Sequence, residues 1–313
     1  MLSRTAGNLF WLARYVERAE NTARLLSVGL RMAALGRSEE QDGTEWHSTV
    51  VSAGCQASFY AKYPKATAET VIDHLVRDGD NPGSIRSCIE TARRNARAVR
   101  TALTADMWDA VNSAWLEGRA LTAQDFELAR VQRVLDWVRE RSLLFLGASG
   151  GTMLRSDAYW FTRLGTFVER ADNTARILDV KYEVLLPSYE QVGGTVDYYQ
   201  WTAVLRSVSA LRAYHYLYRD RIKPWRIAEL LILRREMPRS LMTCMDEIAS
   251  QLERLEGSYG ARGPCHDEVE RLQAQLRDTT IDAIFAKGMH EFLTESIEAN
   301  VRLGEKVAAQ YLF

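Results

Sequence analysis

Residues 16–26 read Val-Glu-Arg-Ala-Glu-Asn-Thr-Ala-Arg-Leu-Leu, and residues 168–178 read Val-Glu-Arg-Ala-Asp-Asn-Thr-Ala-Arg-Ile-Leu. Nine of these eleven positions are identical, and the other two, Glu20/Asp172 and Leu25/Ile177, keep charge or apolarity. The match continues beyond the segment. Trp46 pairs with Trp201 and Ile72 with Ile227 at an offset of 155, and Pro82-x-Ser84-Ile85-x-x-Cys88 pairs with Pro238-x-Ser240-Leu241-x-x-Cys244 at 156. A register that drifts this little over a half-chain is the mark of an internal repeat, which has to be read before any single element. The expectation is a duplicated chain, with repeats of about 1–149 and 150–313 and a seam at Gly147-Ala148-Ser149-Gly150-Gly151.

Each half reads as helix. Leu9, Leu12, Val16, Ala19, Ala23 and Leu26 recur at spacings of three and four, which places them on one buried helical stripe. The polar stretch from Gly36 to Gly43 ends that helix, and a second helix is expected over Thr44 to Tyr63, closed by Pro64. Asp80-Asn81-Pro82 supplies a cap followed by a first-turn proline and opens a helix toward Leu103. Thr122-x-x-Asp125 resembles a capping box before the run to Phe145. Ser156, Pro224 and Pro238 punctuate the second half in the same way, and Pro187 to Gly194 forms the loop after its signature helix. No stretch alternates with a two-residue period between hairpin turns, so no sheet is expected. An apolar stripe repeated in both halves is best buried against its own copy. The fold class is therefore all-α: one domain over 1–313, a duplicated helical bundle with pseudo-two-fold symmetry.

Composition narrows the function. At 313 residues, 47% hydrophobic and 26% charged, the chain is an ordinary globular protein that needs no disulfide or metal to hold its core. Forty Lys and Arg against 41 Asp and Glu leave a net charge of −1, which argues against nucleic-acid binding except at a local basic patch. The cysteines, Cys55, Cys88, Cys244 and Cys265, are isolated, and Cys265-His266 lacks nearby ligands, so inert thiols in a reducing cytoplasm are expected. Met1-Leu2-Ser3-Arg4 leads straight into an amphipathic helix interrupted by Arg14, Glu17 and Arg18, unlike a signal peptide. No run approaches the roughly 20 apolar residues of a membrane span. A soluble cytoplasmic protein follows.

The repeat keeps polar residues as well as apolar ones. Glu17, Asn21 and Arg24 lie at i, i+4 and i+7 on one helical face, as do Glu169, Asn173 and Arg176, and Arg14 extends the first stripe by a turn. Arg18 and Arg170 point about 100° away and are expected off that face. Three readings stay open. The stripe forms a buried ion-pair network in which Glu17 and Glu169 meet Arg24 or Arg176 and the asparagines satisfy leftover donors. Alternatively, its arginines read a carboxylate or phosphate in a pocket between the halves. Or Glu17 with Glu20 and Glu169 with Asp172 set two carboxylate pairs one turn apart for Mg²⁺, with the neighbouring arginines competing against the cation.

Other features carry little chemistry. The histidines at 47, 74, 215, 266 and 290 never pair at ligand spacing, no Glu-x-x-His occurs, and no phosphate loop or nucleophile elbow is present. Tyr198, Tyr199, Trp201, Tyr214, Tyr216 and Tyr218 are expected in the core rather than around a ligand. Arg93, Arg94, Arg97 and Arg100 make a basic helical face able to dock an acidic partner, and Trp108 and Trp115 lie seven residues apart on one face.

The duplicated Val-Glu-Arg-Ala-x-Asn-Thr-Ala-Arg, preceded by Leu9-Phe10-Trp11-Leu12, resembles the bacterial alpha-E domain, named for its helices and its Glu-Arg motif. Arg94-Asn95-Ala96-Arg97-x-Val99-Arg100 through Met107-Trp108 fits the same family, and the likeness covers nearly the whole chain. The resemblance makes Glu17-Arg18 and Glu169-Arg170 the motif residues. It implies a family largely of unknown function whose genes neighbour a circularly permuted ATP-grasp protein and a transglutaminase-like cysteine protease. ATP-grasp enzymes join carboxylates to amines, so the leading expectation is a non-catalytic helical partner of such a ligase in peptide synthesis or modification. It would need no cofactor of its own, no nucleic acid and no membrane, with Arg93, Arg94 and Arg97 at the interface. The alternatives are a Mg²⁺-dependent phosphohydrolase or transferase built on Glu17, Glu20, Glu169 and Asp172, and a purely structural homodimer.

Overall fold

Helix α1 spans Ser3–Ala33, followed by α2 (Thr44–Ser52), α3 (Gln56–Lys62), α4 (Ala68–Ile72), α5 (Ile85–Ala98), α6 (Ala105–Ala120) and α7 (Val131–Thr152). The second half holds α8 (Asp157–Val184), α9 (Thr195–Ser207), α10 (Leu211–Tyr218), α11 (Pro224–Ile232), α12 (Leu241–Tyr259), α13 (Pro264–Asp278), α14 (Ile281–Lys287) and α15 (Met289–Gln310). This computed structural model describes residues 1–34, 44–184 and 195–313, and among them there is no β-strand. The expected loops at Gly36 to Gly43 and Pro187 to Gly194 lie outside the described residues.

The helix boundaries correct several expectations. The helix foreseen over Thr44 to Tyr63 breaks after Ser52, because Gly54 adopts φ +68°, a left-handed conformation that ends α2 and starts a new turn. Pro82 opens nothing. Asn81 accepts the Gly83 N–H at 2.9 Å and donates to the His74 carbonyl, building a turn, and the cap is Ser84, whose hydroxyl accepts the Ser87 N–H at 3.1 Å. That helix also stops at Ala98, before a 3₁₀ turn over Arg100–Ala102. The Thr122/Asp125 box does form, but it caps a 3₁₀ turn over Ala123–Phe126, and the long helix starts only at Val131. The Gly147–Gly151 stretch lies inside the last turns of α7, and the chain leaves that helix at Met153. Glycine weakens a helix by only about 1 kcal/mol per residue, and burial of Phe145 and Ser149 on the same turns holds this one together.

Pro238 behaves as Pro82 does, standing in the turn two residues before the cap. Ser240 caps α12 by accepting the Thr243 N–H at 3.1 Å, as Ser84 does for α5. Pro224 occupies the first turn of α11.

The two signature segments lie in α1 and α8, which pack side by side. α5 and α7 cover α1, α12 and α15 cover α8, and α2 and α9 each touch both central helices. Consequently every residue from Ala19 to Gly29 is buried. A helix enclosed on all sides is normally apolar all round; this one carries Glu20, Asn21, Thr22 and Arg24, whose polar groups must find partners inside the protein. The main hydrophobic cluster draws on both halves of the chain, with Leu9, Phe10 and Leu12 beside Phe161, Leu164, Leu252 and Leu303. At Gly165 the central helices meet backbone to backbone. A Cβ there would stand 2.1 Å from the Phe10 carbonyl oxygen.

The aromatic residues of the second half do not gather at one place. Trp201 and Tyr214 are buried, with the Tyr214 hydroxyl donating to the Arg221 carbonyl, whereas Tyr198, Tyr199 and Tyr216 are exposed. No helix among the described residues is long and apolar enough to cross a membrane.

Candidate functional site

The Glu-Arg dipeptides of the repeat engage each other across the α1–α8 interface. Arg18 donates from Nε to Glu169 Oε1 at 2.5 Å and from Nη2 to Oε2 at 2.9 Å. Arg170 donates from Nε to Glu17 Oε1 at 3.0 Å and from Nη2 to Oε2 at 2.9 Å. Each helix thus gives a glutamate to the other's arginine in a fork-to-fork bond, the geometry in which charge-assisted hydrogen bonds are strongest. Arg18 and Arg170 therefore face the seam, contrary to the expectation from their helical-wheel positions. α1 is packed on more than one side, and a side chain as long as arginine reaches across a wide helix–helix seam.

Arg24 and Arg176 do not meet the glutamates at 17 and 169 either. Arg24 folds back one turn to Glu20, with Nε–Oε1 2.9 Å, and Arg176 does the same to Asp172, with Nε–Oδ2 2.6 Å. Their far ends reach the opposite half. Arg24 Nη1 donates to the Ser207 carbonyl at the end of α9, while Arg176 Nη1 lies against Gly54, 2.9 Å from where a Cβ would stand.

A second arginine completes each glutamate. Arg14 Nε reaches Glu169 Oε2 at 2.8 Å, and its guanidinium stacks on Trp11 at 4.6 Å. Arg239, in the turn before α12, bridges Glu17 (Nη1–Oε1 2.8 Å) and Glu20 (Nη2–Oε1 2.7 Å). Ser142 on α7 donates to the other Glu20 oxygen at 2.6 Å. Arg239 was not foreseen. It stands 156 residues after a glycine, Gly83, and Arg14 stands 152 before a threonine, Thr166, so neither arginine recurs at the spacing of the two Glu-Arg segments. The threonines of the motif hold both turns: Thr22 Oγ1 donates to the Gly83 carbonyl at 3.4 Å and Thr174 Oγ1 to the Arg239 carbonyl at 2.7 Å. Asn173 donates to the Glu17 carbonyl at 3.4 Å, and Asn21 Oδ1 has no partner among the described residues.

Burial alone would raise the Glu17 pKa, but the charges of Arg170 and Arg239 and their hydrogen bonds outweigh it and hold the carboxyl down to about 2. Glu169 is lowered for the same reason by Arg18 and Arg14. Burial and the charge of Arg239 bring Arg24 down to about 10, which still leaves it charged at neutral pH. A carboxylate with a depressed folded pKa stabilises the fold above its unfolded value, and that contribution is lost as pH falls through the folded value. Stability should therefore decline as pH drops from about 4.5 toward 2. Glu17→Gln should flatten that part of a urea-denaturation pH profile, and an unchanged slope would contradict the assignment.

A cation has little room here. The point between Glu17 and Glu20, where a metal would bridge one pair, is filled by the Arg239 guanidinium, and Glu169 and Asp172 are each held by arginines. Among the described residues no three His, Cys, Asp or Glu side chains converge as a metal site would require. The histidines lie elsewhere, with His74 on Asp78 at 2.9 Å and His290 on Asp179 at 2.7 Å. Burial pushes the Cys88 and Cys244 thiols up to about 12, so neither is a nucleophile at neutral pH. Arg93, Arg94 and Arg97 lie away from the network on α5, where Arg93 stacks on Trp115 at 3.8 Å.

Uncharacterized proteins of Mycobacterium bovis and of two strains of Mycobacterium tuberculosis are each 24% identical to this chain over 326 residues. The alignment covers 96% of this chain and 36% of each relative, so the chain spans about a third of the length of the relatives it matches. No solved structure matches it. Residues 1–312 match the family described as "a predicted alpha-helical domain with a conserved ER motif". With its two Glu-Arg pairs locked together at the centre of an all-helical fold, the chain belongs to the alpha-E family.

Proposed function

We propose that this protein is a non-catalytic helical partner of an ATP-grasp amide or peptide ligase, one module made of two repeats related by a pseudo-two-fold axis between α1 and α8. The observation that carries this reading is where the motif chemistry goes. Glu17, Arg18, Glu169 and Arg170 are spent on one another, leaving no ionisable group of the motif free to act on a substrate. A partner role is also supported by the relatives, in which the matched region is about a third of a longer chain and so has a covalently attached neighbour. The ligase, and a transglutaminase-like protease beside it, come from the family resemblance. The pairing of Ser84 with Ser240, of Cys88 with Cys244 and of the two threonine-anchored turns supports the repeat.

The test is to recover the tagged protein from its native host and identify what comes with it. An ATP-grasp ligase in stoichiometric amount is the expected result, and recovery of the protein alone, as monomer or homodimer, would contradict the reading. The Mg²⁺-dependent alternative separates by thermal denaturation. Millimolar Mg²⁺ or Mn²⁺ should leave the melting temperature unchanged, because arginines already occupy the carboxylates; a rise would revive the enzyme.

A further inference from the structure

A groove of about 540 Å³ opens between α5, α6, the 3₁₀ turn at Ala123–Phe126 and α7, and no residue of the central network lines it. Its floor is apolar, formed by Ile85, Ile89 and Val134, and its walls are Trp115, Trp137 and Phe126. Arg77, Arg86 and Arg119 rim it, against one lining carboxylate, Glu90. Arg93 and Arg119 both approach the Trp115 ring, at 3.8 and 4.9 Å, and Arg77 approaches Phe126 at 5.3 Å. The basic face continues along α5 to Arg94 and Arg97 and into the following 3₁₀ turn at Arg100, which lies over Trp108 at 5.0 Å.

These arginines differ from those of the core in one respect. Arg77 pairs with Asp73 at 3.3 Å, but among the described residues no carboxylate lies within ion-pair distance of Arg86, Arg93, Arg94, Arg97 or Arg119. A guanidinium stacked on an indole still offers in-plane N–H donors, which fit a carboxylate in pairs; Arg93 gives its Nε to Asn112 Oδ1 at 2.9 Å and presents its two terminal nitrogens. The second half offers an internal comparison. Leu241 and Met245, 156 residues after Ile85 and Ile89, line a smaller groove of about 210 Å³ between α12, α13 and α15. There the charges are neutralised within the protein: Arg271 by Glu268, Arg302 by Glu298 and Glu295 by Lys287. The charge left unbalanced belongs to the first groove alone of the two.

We propose that the α5–α6–α7 groove docks an acidic peptide segment, its carboxylates on the rim arginines and one bulky apolar side chain between Trp115, Trp137 and Phe126. From Arg86 to Arg97 the helix rises about 16 Å, the length of roughly five extended residues. A net charge of −1 on the whole chain opposes a long polyanion such as nucleic acid, and a short acidic segment meets only the local patch. The segment's place in a partner rests on the partner reading above, but its binding is measurable on this protein alone.

The probe is a fluorescein-labelled dodecapeptide alternating Glu with Leu, followed by anisotropy against the full chain, with the Lys-for-Glu peptide and a single-stranded DNA dodecamer as comparisons. The acidic peptide should bind, and the Lys peptide should not. The double substitution Arg86→Glu/Arg119→Glu should weaken the acidic peptide by about tenfold or more and create binding of the Lys peptide, a gain that misfolding cannot produce. Arg271→Glu/Arg302→Glu in the second groove should change neither. No binding of the acidic peptide, binding indifferent to the Arg86/Arg119 reversal, or equal binding of the DNA would overturn the proposal. If the ligase co-purifies equally well with the Arg86→Glu/Arg119→Glu variant, this site fails while the partner reading stands. If the peptide binds and no ligase is recovered, the reverse holds.

Discussion

Gly165→Ala lowers stability by about 1–3 kcal/mol, and Gly165→Leu prevents the two central helices from packing. The sign is the informative part. A glycine inside a helix normally costs up to about 1 kcal/mol relative to alanine, so the exchange should stabilise an exposed position. At Gly165 the added Cβ would meet the Phe10 carbonyl at 2.1 Å, and the obstacle is backbone that cannot swing aside. α1 and α8 must then separate, which stretches the four Glu-Arg hydrogen bonds between Glu17, Arg18, Glu169 and Arg170. Gly147, exposed on α7 with nothing within 4 Å of a Cβ, is the control. Gly147→Ala should raise stability by roughly 0.5–1 kcal/mol. Urea denaturation of the two variants should show opposite signs, and a stabilised Gly165→Ala would contradict the close approach.

Glu17→Ala should cost about 3–5 kcal/mol, the amount expected when one member of a buried ion pair is removed and its partner keeps an uncompensated charge. Arg170 loses its carboxylate partner and Arg239 one of its two, keeping Glu20, and both side chains are only 11% exposed, so neither can turn to water. For a protein whose total stability is of order 5–15 kcal/mol, that loss is a large fraction. At about 2 °C per kcal/mol for a chain of this size, the melting temperature should fall by roughly 6–10 °C. Glu169→Ala should cost less, because the Arg18 side chain is 30% exposed and regains hydration. Equal effects of the two substitutions would contradict this ranking. The pair Glu17→Ala and Glu17→Gln also separates packing from charge, since the amide keeps the shape and two hydrogen-bonding atoms.

Much of this was written plainly in the sequence. Three-and-four spacing of Leu9, Leu12, Val16 and Ala19 is enough for the first helix, and the repeat of Glu17, Asn21 and Arg24 at 169, 173 and 176 marks the interface. The misreadings share a physical origin. Helical-face arithmetic assumes that one side of a helix is buried, whereas α1 packs against α8, α5 and α7 together, so Arg18, about 100° round from Glu17, still reaches Glu169. Arg239 escaped because it comes from a turn, where no periodicity operates, and because its counterpart is a glycine. Boundaries failed where a local signal met a tertiary one. Pro82 and Asn81 serve the turn while Ser84 caps the helix, and the helix expected to run to Phe145 continues to Thr152, with Phe145 and Ser149 buried on its last turns.

The Glu-Arg motif is a reciprocal clamp between the two central helices. A double-mutant cycle in urea on Glu17→Gln and Arg170→Met tests it most directly, since neither residue touches the other in sequence and only the folded interface couples them. A coupling energy of about 1.5–3 kcal/mol, with the double variant losing far less than the sum of the single ones, is the predicted result. Additive losses, with coupling near zero, would mean that Glu17 and Arg170 are not partners and would contradict the account.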